Sequence, residues 1–292
     1  MPVSGNLRSI AAMLTAVAFF SVMDTVLKLL SAHYPATQVA ALRGLVAMPL
    51  VVAYVLWRRE AHTLLRIRWP LHLLRGLVGV VMLSLFTFAL RELQLAEAYT
   101  IFFIAPLMIT VLSIPVLKEK VRPAHWAAVA VGLVGVVIAL RPQGEGFFTW
   151  GALAVLGSAL CYSVSAVTGR LLSRSDSAVS LIFWSMAMIT VGAGTMAWPQ
   201  WVPVRAEHTA LLLALAATGF IAQLCITEAF RHGQAAAVAP FEYTALAWGA
   251  GIDWLLWHTL PQAHTLVGAA IIIASGLYLI HLERGQNTAL PP

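Results

Sequence analysis

The sequence predicts an all-α integral membrane protein with ten transmembrane helices, arranged as two inverted five-helix repeats. Three observations lead to this fold class: an apolar composition, ten apolar segments of spanning length, and a weak repeat between the two halves. Of the 292 residues, 60% are hydrophobic and only 10% are charged, whereas soluble domains carry roughly 25% charged residues. Because so few polar groups cannot cover a surface in water, most of the surface is expected to face lipid.

The apolar segments match the length that a membrane requires. A helix crosses the hydrocarbon core with about 20 mostly apolar residues. Ten segments meet this criterion, and they are residues 8–30, 36–57, 70–90, 97–117, 124–141, 150–171, 177–197, 208–230, 236–257 and 264–282. The polar residues 283–292 are expected to form a disordered tail. The connections are short, so a second, soluble domain is not expected.

Lysine and arginine are distributed unevenly between alternate loops. Twelve of the 18 lie on the side of the N-terminus, three (Arg91, Arg141 and Arg205) lie on the opposite side, and three lie within spans. Positively charged loops remain in the cytoplasm, so both termini are predicted to be cytoplasmic. The net charge is +6, but the Lys and Arg residues are scattered between apolar segments and form no single basic face. This distribution argues against nucleic-acid binding.

The two halves of the chain align at an offset that drifts between 140 and 142 residues. The aligned pairs are "SVMDTVLKLLS" (21–31) with "SVSAVTGRLLS" (163–173), "ALRELQLAEA" (89–98) with "AFRHGQAAAV" (229–238), and "GVVIAL" (135–140) with "GLYLIH" (276–281). The predicted repeats are therefore residues 8–142 and 150–282.

Five spans per repeat is an odd number, so the second repeat must enter the membrane in the opposite orientation. Two such copies are related by a pseudo-two-fold axis in the membrane plane. Each half can then adopt the conformation of the other, and the molecule has two nearly equivalent states, one open to each side. The repeat therefore favours an alternating-access transporter.

Residues 74–142 resemble the first EamA-type domain of the drug/metabolite transporter superfamily. The matching positions are Ala89–Arg91, Ala96–Ala98, Pro106, Glu119–Lys120, Trp126 and Gly135–Val136, together with Arg43 in span two. Residues 239–246 and 265–279 match the second domain, although the turn at 257–264 lacks the usual acidic residue. The resemblance covers the whole chain and implies a bacterial inner-membrane transporter for amino acids, amines, vitamins or nucleoside-like cofactors.

Charged residues near one end of spans one and two form the first candidate site. An ionisable side chain in the hydrocarbon costs about 2.5–3.5 kcal/mol on insertion scales, so each requires a reason. Asp24 and Arg43 lie at similar predicted depth, and Lys28 follows Asp24 by one helical turn. Two interpretations remain open: an ion-pair network that joins the two spans, or a site for a proton or a substrate charge.

Glu242 is the second candidate. It lies near the start of span nine, directly after Pro240 and Phe241. A proline at this depth can open the helix locally, as at many transporter binding sites, and a buried carboxylate there suits reversible protonation. The alternative is a structural Glu neutralised by Arg231 or Arg75.

Aromatic and glycine residues complete the set of candidates. Tyr99, Tyr162, Tyr243 and Trp248 lie on spans that line the transport cavity in the resembling family, although packing explains each of them more readily. Ligand pockets are mainly apolar and aromatic with a few polar groups. The pairs Gly132/Gly135 and Gly268/Gly276 are assigned to helix packing or homodimer contacts.

The resulting hypothesis is a secondary transporter for a small polar or aromatic metabolite, coupled to protons or driven by exchange. Its partners are the substrate and the lipid bilayer, and no cofactor, metal site or catalytic residue is predicted. The sequence contains no G-x-x-x-x-G-K-[ST] motif for ATP hydrolysis. An enzyme acting on lipid or isoprenoid substrates is the alternative, although H-E-x-x-H, G-x-S-x-G and Asp-rich motifs are missing. A passive channel is disfavoured because nothing resembles a selectivity filter.

Overall fold

The computed structural model describes residues 3–65, 67–117, 123–140, 149–173, 175–232 and 239–287, and every regular element in these ranges is helical. The α-helices are α1 (Val3–Ser31), α2 (Ala36–Arg58), α3 (Trp69–Glu92), α4 (Leu95–Phe102), α5 (Ala105–Leu117), α6 (Pro123–Leu140), α7 (Trp150–Leu172), α8 (Ala178–Ala197), α9 (Thr209–His232), α10 (Ala245–Trp257) and α11 (Ala263–Asn287). Short 3-10 helices are Ala61–Leu65, Trp198–Gln200, Ala206–His208 and Ala239–Thr244.

Helices overlap all ten predicted spans. Six of the described helices are long and apolar enough to cross a membrane by length and composition, and shorter apolar helices cover Leu95–Ile109, Trp126–Ala139 and Ala263–Tyr278. Helix α11 continues through Asn287 and so extends into the segment predicted as a disordered tail. The motif residues Glu119 and Lys120 lie outside the described residues.

Two predicted spans are divided into shorter pieces. Span four consists of α4 and α5, separated at Phe103 and Ile104. Pro106 has no backbone N–H to donate to the carbonyl of Phe102 one turn earlier, so an uninterrupted helix is disfavoured there. Span nine begins as the 3-10 helix Ala239–Thr244 and becomes α-helical only at Ala245. This matches the local opening expected from Pro240.

The most extensive helix contacts join the first half of the chain to the second. Helix α1 packs on α9, α2 on α8, α3 on α7 and α6 on α11, and α4 contacts α10. The main buried cluster accordingly draws on both halves, from Leu27 and Leu83 to Val155 and Ile272. The two halves therefore share one core.

Loops at one end of the bundle, called here the Tyr34 end, are joined by hydrogen bonds. The Tyr34 hydroxyl lies 2.7 Å from His208 Nδ1. The buried amide of Gln38 both donates to and accepts from the backbone of Val202, at 2.6 and 2.9 Å. These contacts hold the α1–α2 connection against the segment that leads into α9. Gln38 is thus a structural residue.

The opposite end, called here the Thr63 end, is joined by a second set of polar contacts. The Thr63 hydroxyl lies 2.9 Å from the Ser177 hydroxyl, and Asp176 Oδ2 lies 2.9 Å from His72 Nε2. Burial raises the pKa of Asp176, but hydrogen bonds from Ser175, His72 and the Arg68 N–H outweigh it and leave the pKa lowered. An ionised Asp176 therefore links the α7–α8 loop to the start of α3.

Glycines allow α6 and α11 to approach closely. A Cβ atom added at Gly268 would lie 2.6 Å from the Gly135 carbonyl oxygen and 2.7 Å from the Ala139 nitrogen. Both atoms belong to the backbone and cannot rotate away. The predicted packing role of these glycines is therefore observed between helices of one chain.

Replacing Gly268 by Ala is expected to lower the free energy of unfolding by about 3 kcal/mol, since the added methyl must separate two backbones. Gly251→Ala is the matched control, because an added Cβ at Gly251 meets nothing within 4 Å. Its effect should stay within about 1 kcal/mol, in the stabilising direction. Thermal unfolding of the detergent-solubilised variants measures both. Equal melting temperatures for Gly268→Ala and the wild type would contradict the close approach.

Candidate functional site

Asp24 and Tyr99 form a buried hydrogen-bonded pair near the Tyr34 end. The Tyr99 hydroxyl on α4 donates to Asp24 Oδ2 on α1 at 2.9 Å, and the two residues are only 6% and 9% exposed. Arg43 on α2 acts on Asp24 electrostatically without forming an ion pair in the described structure. The structure thus brings two of the predicted residues into direct contact, with Tyr99 as the partner of the Asp24 carboxyl group.

Lys28 does not pair with Asp24, contrary to the expectation from their spacing. Its ammonium lies 3.6 Å from Asp253 Oδ1 on α10, donates to the Leu93 carbonyl at 2.8 Å and lies 4.5 Å from the Trp257 ring centroid. The Asp253 side chain is fully buried and accepts the Ala96 N–H at 3.0 Å. This cluster joins α1, the start of α4 and α10.

The second group of charged and polar candidates comprises Arg75 and Tyr162, on the packed helices α3 and α7, and Glu242, on the 3-10 helix Ala239–Thr244. No ion pair joins Glu242 to Arg75, although both side chains are described. The Arg231 side chain, the other expected partner, lies outside the described side chains. The alternative interpretation, an ion pair between Glu242 and Arg75, is therefore not observed among the described residues.

Arg75 itself lies against α7. Its Nε is 3.4 Å from the Ser165 hydroxyl, and its guanidinium covers Gly169, where an added Cβ would lie 3.7 Å from Cζ. Its Nη1 is buried and has no hydrogen-bond partner in the described structure. A buried guanidinium nitrogen without an acceptor is costly. Arg75 therefore has donor capacity that the described residues do not use.

A row of aromatic rings extends from this group. The Tyr162 ring centroid lies 5.3 Å from that of Phe102, which lies 5.6 Å from Phe86. The rings come from α7, α4 and α3, and Tyr162 remains 39% exposed although it lies mid-helix. The row offers an apolar aromatic wall beside the charged groups.

Tyr243 and Trp248 occupy different surroundings. The Tyr243 ring lies edge-on to Phe103, with centroids 5.0 Å apart, and its hydroxyl would collide with a Cβ at Gly276 on α11. Trp248 is 45% exposed on α10, and the structure places it in none of the polar clusters above. For Tyr243 these contacts favour packing, which was one of its two sequence-based interpretations.

Two residues of these polar clusters were not predicted as site residues from the sequence. Asp253 was not recognised, although an acidic residue within an apolar segment is itself a signal. Arg75 was considered only as a partner for Glu242, yet it follows the same rule. Both would have been found by treating every ionisable residue inside a predicted span as a candidate.

Comparison with known proteins places the chain among transporters. The model of the EamA-like transporter family matches residues 7–141 and again residues 149–281. The pseudopaline exporter CntI of Pseudomonas aeruginosa is 28% identical over 97% of this chain and 98% of its own. An S-adenosylmethionine uptake transporter of Rickettsia bellii is 28% identical over 90% of each chain.

A third relative and a solved structure extend the comparison. A riboflavin transporter of Vibrio cholerae is 26% identical over 94% of this chain and 93% of its own. A crystal structure of a protein 22% identical to this chain superposes with a TM-score of 0.63 and covers 98% of this chain and 99% of that one. The named relatives are transporters and not enzymes, and the solved structure shares the fold.

Proposed function

Because this chain belongs to the EamA-like transporter family, and is therefore a multi-pass membrane transport protein, we propose that it is a secondary transporter for a small polar or aromatic metabolite. It works by alternating access between two inverted halves and couples transport to protons or to exchange. It lies in the bacterial inner membrane with both termini in the cytoplasm, the orientation that the uneven distribution of Lys and Arg favours.

The observation that carries this proposal is the pattern of helix pairing. A two-fold rotation that exchanges the repeats would place each element of the first half on its equivalent in the second half. The equivalent pairs are α1 and α7, α2 and α8, α3 and α9, span four and span nine, and α6 and α11. The pair α1–α9 then becomes α7–α3, which is also present, while α2–α8, α4–α10 and α6–α11 map onto themselves. These principal helix pairs are unchanged by the exchange, which supports a two-fold relation between the halves.

The broken spans support the same relation. The breaks lie at Phe103 and Thr244, and their separation of 141 residues falls within the drift of the repeat offset. Phe103 aligns with Tyr243 at the local offset of 140, and these two rings are in contact. A residue that touches its own repeat equivalent must lie near the axis that exchanges the halves. Broken helices at such a central position are typical of substrate sites in transporters.

The buried side chains support this substrate class. Charged and aromatic side chains from α1, α3, α4, α7 and span nine lie in the interior of the bundle, which suits a small organic molecule with at least one charge or polar ring. The named relatives differ both in substrate and in direction, as exporter or uptake transporter. The proposed substrate is accordingly a class of metabolites and not a single compound.

Reconstitution in liposomes with a trapped pH indicator tests this function. Addition of a metabolite panel under an imposed pH gradient should produce, for at least one compound, a saturable proton flux that protein-free liposomes lack. Counterflow of the same compound should persist without the gradient, because exchange needs only the two-state cycle. Unitary channel currents in a planar bilayer would contradict alternating access.

A further inference from the structure

We propose that Arg75 and Glu242 are the two ends of a binding site for a zwitterion whose apolar body lies on the Tyr162 and Phe102 rings. This inference rests on the proposed function, since it names the chemical class of the transported molecule. It is carried by two opposite charges that the described protein leaves without ion-pair partners and by the aromatic surface beside them.

Arg75 suits the anionic group of such a ligand. Its guanidinium is held by Ser165 on one edge and by packing over Gly169, so its orientation is set before a ligand arrives. The buried Nη1, which has no acceptor among the described residues, is a donor of the kind that pairs with carboxylates in a planar, two-point geometry. A ligand carboxylate would therefore satisfy a nitrogen that is otherwise unpaired.

Glu242 suits the cationic group. Among the described side chains it forms no ion pair and no hydrogen bond. It lies on the 3-10 helix Ala239–Thr244, where the ordinary α-helical hydrogen-bond pattern is interrupted. A carboxylate held in an apolar interior is costly unless a cation or a proton compensates it. The proton and the ligand cation are therefore alternatives at the same group.

Tyr162 joins the two ends of the proposed site. It lies one helical turn before Ser165, which contacts Arg75. Its ring contacts Phe102 and continues the row to Phe86, and the neighbouring Phe103 contacts Tyr243, the residue after Glu242. In the proposed site, the body of the ligand lies along this ring, which is 39% exposed. A flat or apolar body is thus favoured between the charged ends.

The two opposite charges of this site should favour zwitterionic ligands over singly charged ones. A ligand with a carboxylate alone would leave Glu242 uncompensated, and a ligand with a cation alone would leave Arg75 uncompensated. Each unmatched charge in a desolvated site is penalised. Loss of one charge-assisted contact corresponds to about 10- to 100-fold weaker binding. A zwitterion should therefore bind more tightly than either singly charged analogue.

Three matched probes test this inference on the purified full chain. 4-(Aminomethyl)benzoate carries an ammonium and a carboxylate on opposite sides of one ring, benzylamine lacks the carboxylate, and 4-methylbenzoate lacks the ammonium. At saturation the zwitterion should raise the melting temperature by about 5 °C. Each analogue should bind about 10- to 100-fold more weakly.

Variants link each charge to its partner. Arg75→Gln should abolish the advantage of the zwitterion over benzylamine, and Glu242→Gln should abolish its advantage over 4-methylbenzoate. Arg58→Gln is the control, because Arg58 pairs with Glu60 at the exposed end of α2, and it should bind all three probes as the wild type does. Equal shifts for the three probes, no shift for any, or unchanged selectivity in both variants would overturn the inference.

The proposed function is tested by a separate experiment, so its failure can be distinguished from failure of the zwitterion site. Binding selectivity is measured in detergent without a gradient, whereas transport is measured as proton-linked flux in liposomes. Saturable flux combined with equal probe binding would overturn the zwitterion site alone. Selective probe binding combined with channel currents would overturn alternating access alone.

Discussion

Replacement of Glu242 by Gln abolishes proton-driven transport in reconstituted liposomes, reducing it to the level of protein-free vesicles, while the protein still folds. Gln has nearly the same shape as Glu, but its amide does not release or accept a proton at physiological pH. In the described structure no ion pair depends on the Glu242 charge, so its removal leaves no partner unsatisfied. Removal of a buried charge also removes a desolvation cost. Stability should therefore be equal to or greater than that of the wild type.

The measurement pairs flux under a pH gradient with thermal unfolding of the same preparation. Glu207→Gln is the matched control, since Glu207 is an exposed residue of the 3-10 helix Ala206–His208 that contacts Arg205. Its flux should equal that of the wild type. Full proton-driven transport by the Glu242 variant would remove this residue from the coupling mechanism.

Replacement of Asp253 by Asn lowers the free energy of unfolding by about 3 kcal/mol. The change preserves size and still offers an oxygen to the Ala96 N–H, but it leaves the partly buried Lys28 ammonium without its carboxylate. Glu97 also acts on Lys28, which places the expected loss at the lower end of the range for broken buried ion pairs. Unfolding of the detergent-solubilised variant measures the loss.

A double variant separates the ion pair from simple packing. Lys28→Met combined with Asp253→Asn removes both charges and should recover most of the lost stability, because no uncompensated charge remains. Additive losses in the two single variants, with no recovery in the double variant, would show that the two groups do not interact.

Hydropathy located the helices well because the requirement for an apolar helix of spanning length is local in sequence. The span from 36 to 57 was predicted, for example, and Ala36–Arg58 is observed. The division of span four at Phe103 was not predicted, although Pro106 was noted. A proline inside an apolar segment is compatible with either a kink or a break, and the choice depends on tertiary contacts such as the Ser163 hydroxyl, 3.2 Å from the Ala105 carbonyl.

The candidate site was less accessible to sequence reasoning, because its contacts join distant parts of the chain. Lys28 and Asp24 are one turn apart, and the local spacing suggested a pair, whereas the partner is Asp253 on α10. Tyr99 was proposed from its position in a span, but its hydrogen bond to Asp24 crosses from α4 to α1. Such contacts follow from helix pairing, which one sequence does not specify.

Pairing of early helices with late ones also has a consequence for synthesis. Helix α1 is made first, yet its main packing partner, α9, is completed roughly 200 residues later. At 5–20 residues per second, α1 waits about 10–40 s in the bilayer before that partner emerges from the ribosome. Lys28 and its future partner Asp253 are separated by a similar interval. The newly inserted first half is therefore the stage at which a membrane chaperone or a quality-control protease would find the most exposed polar surface.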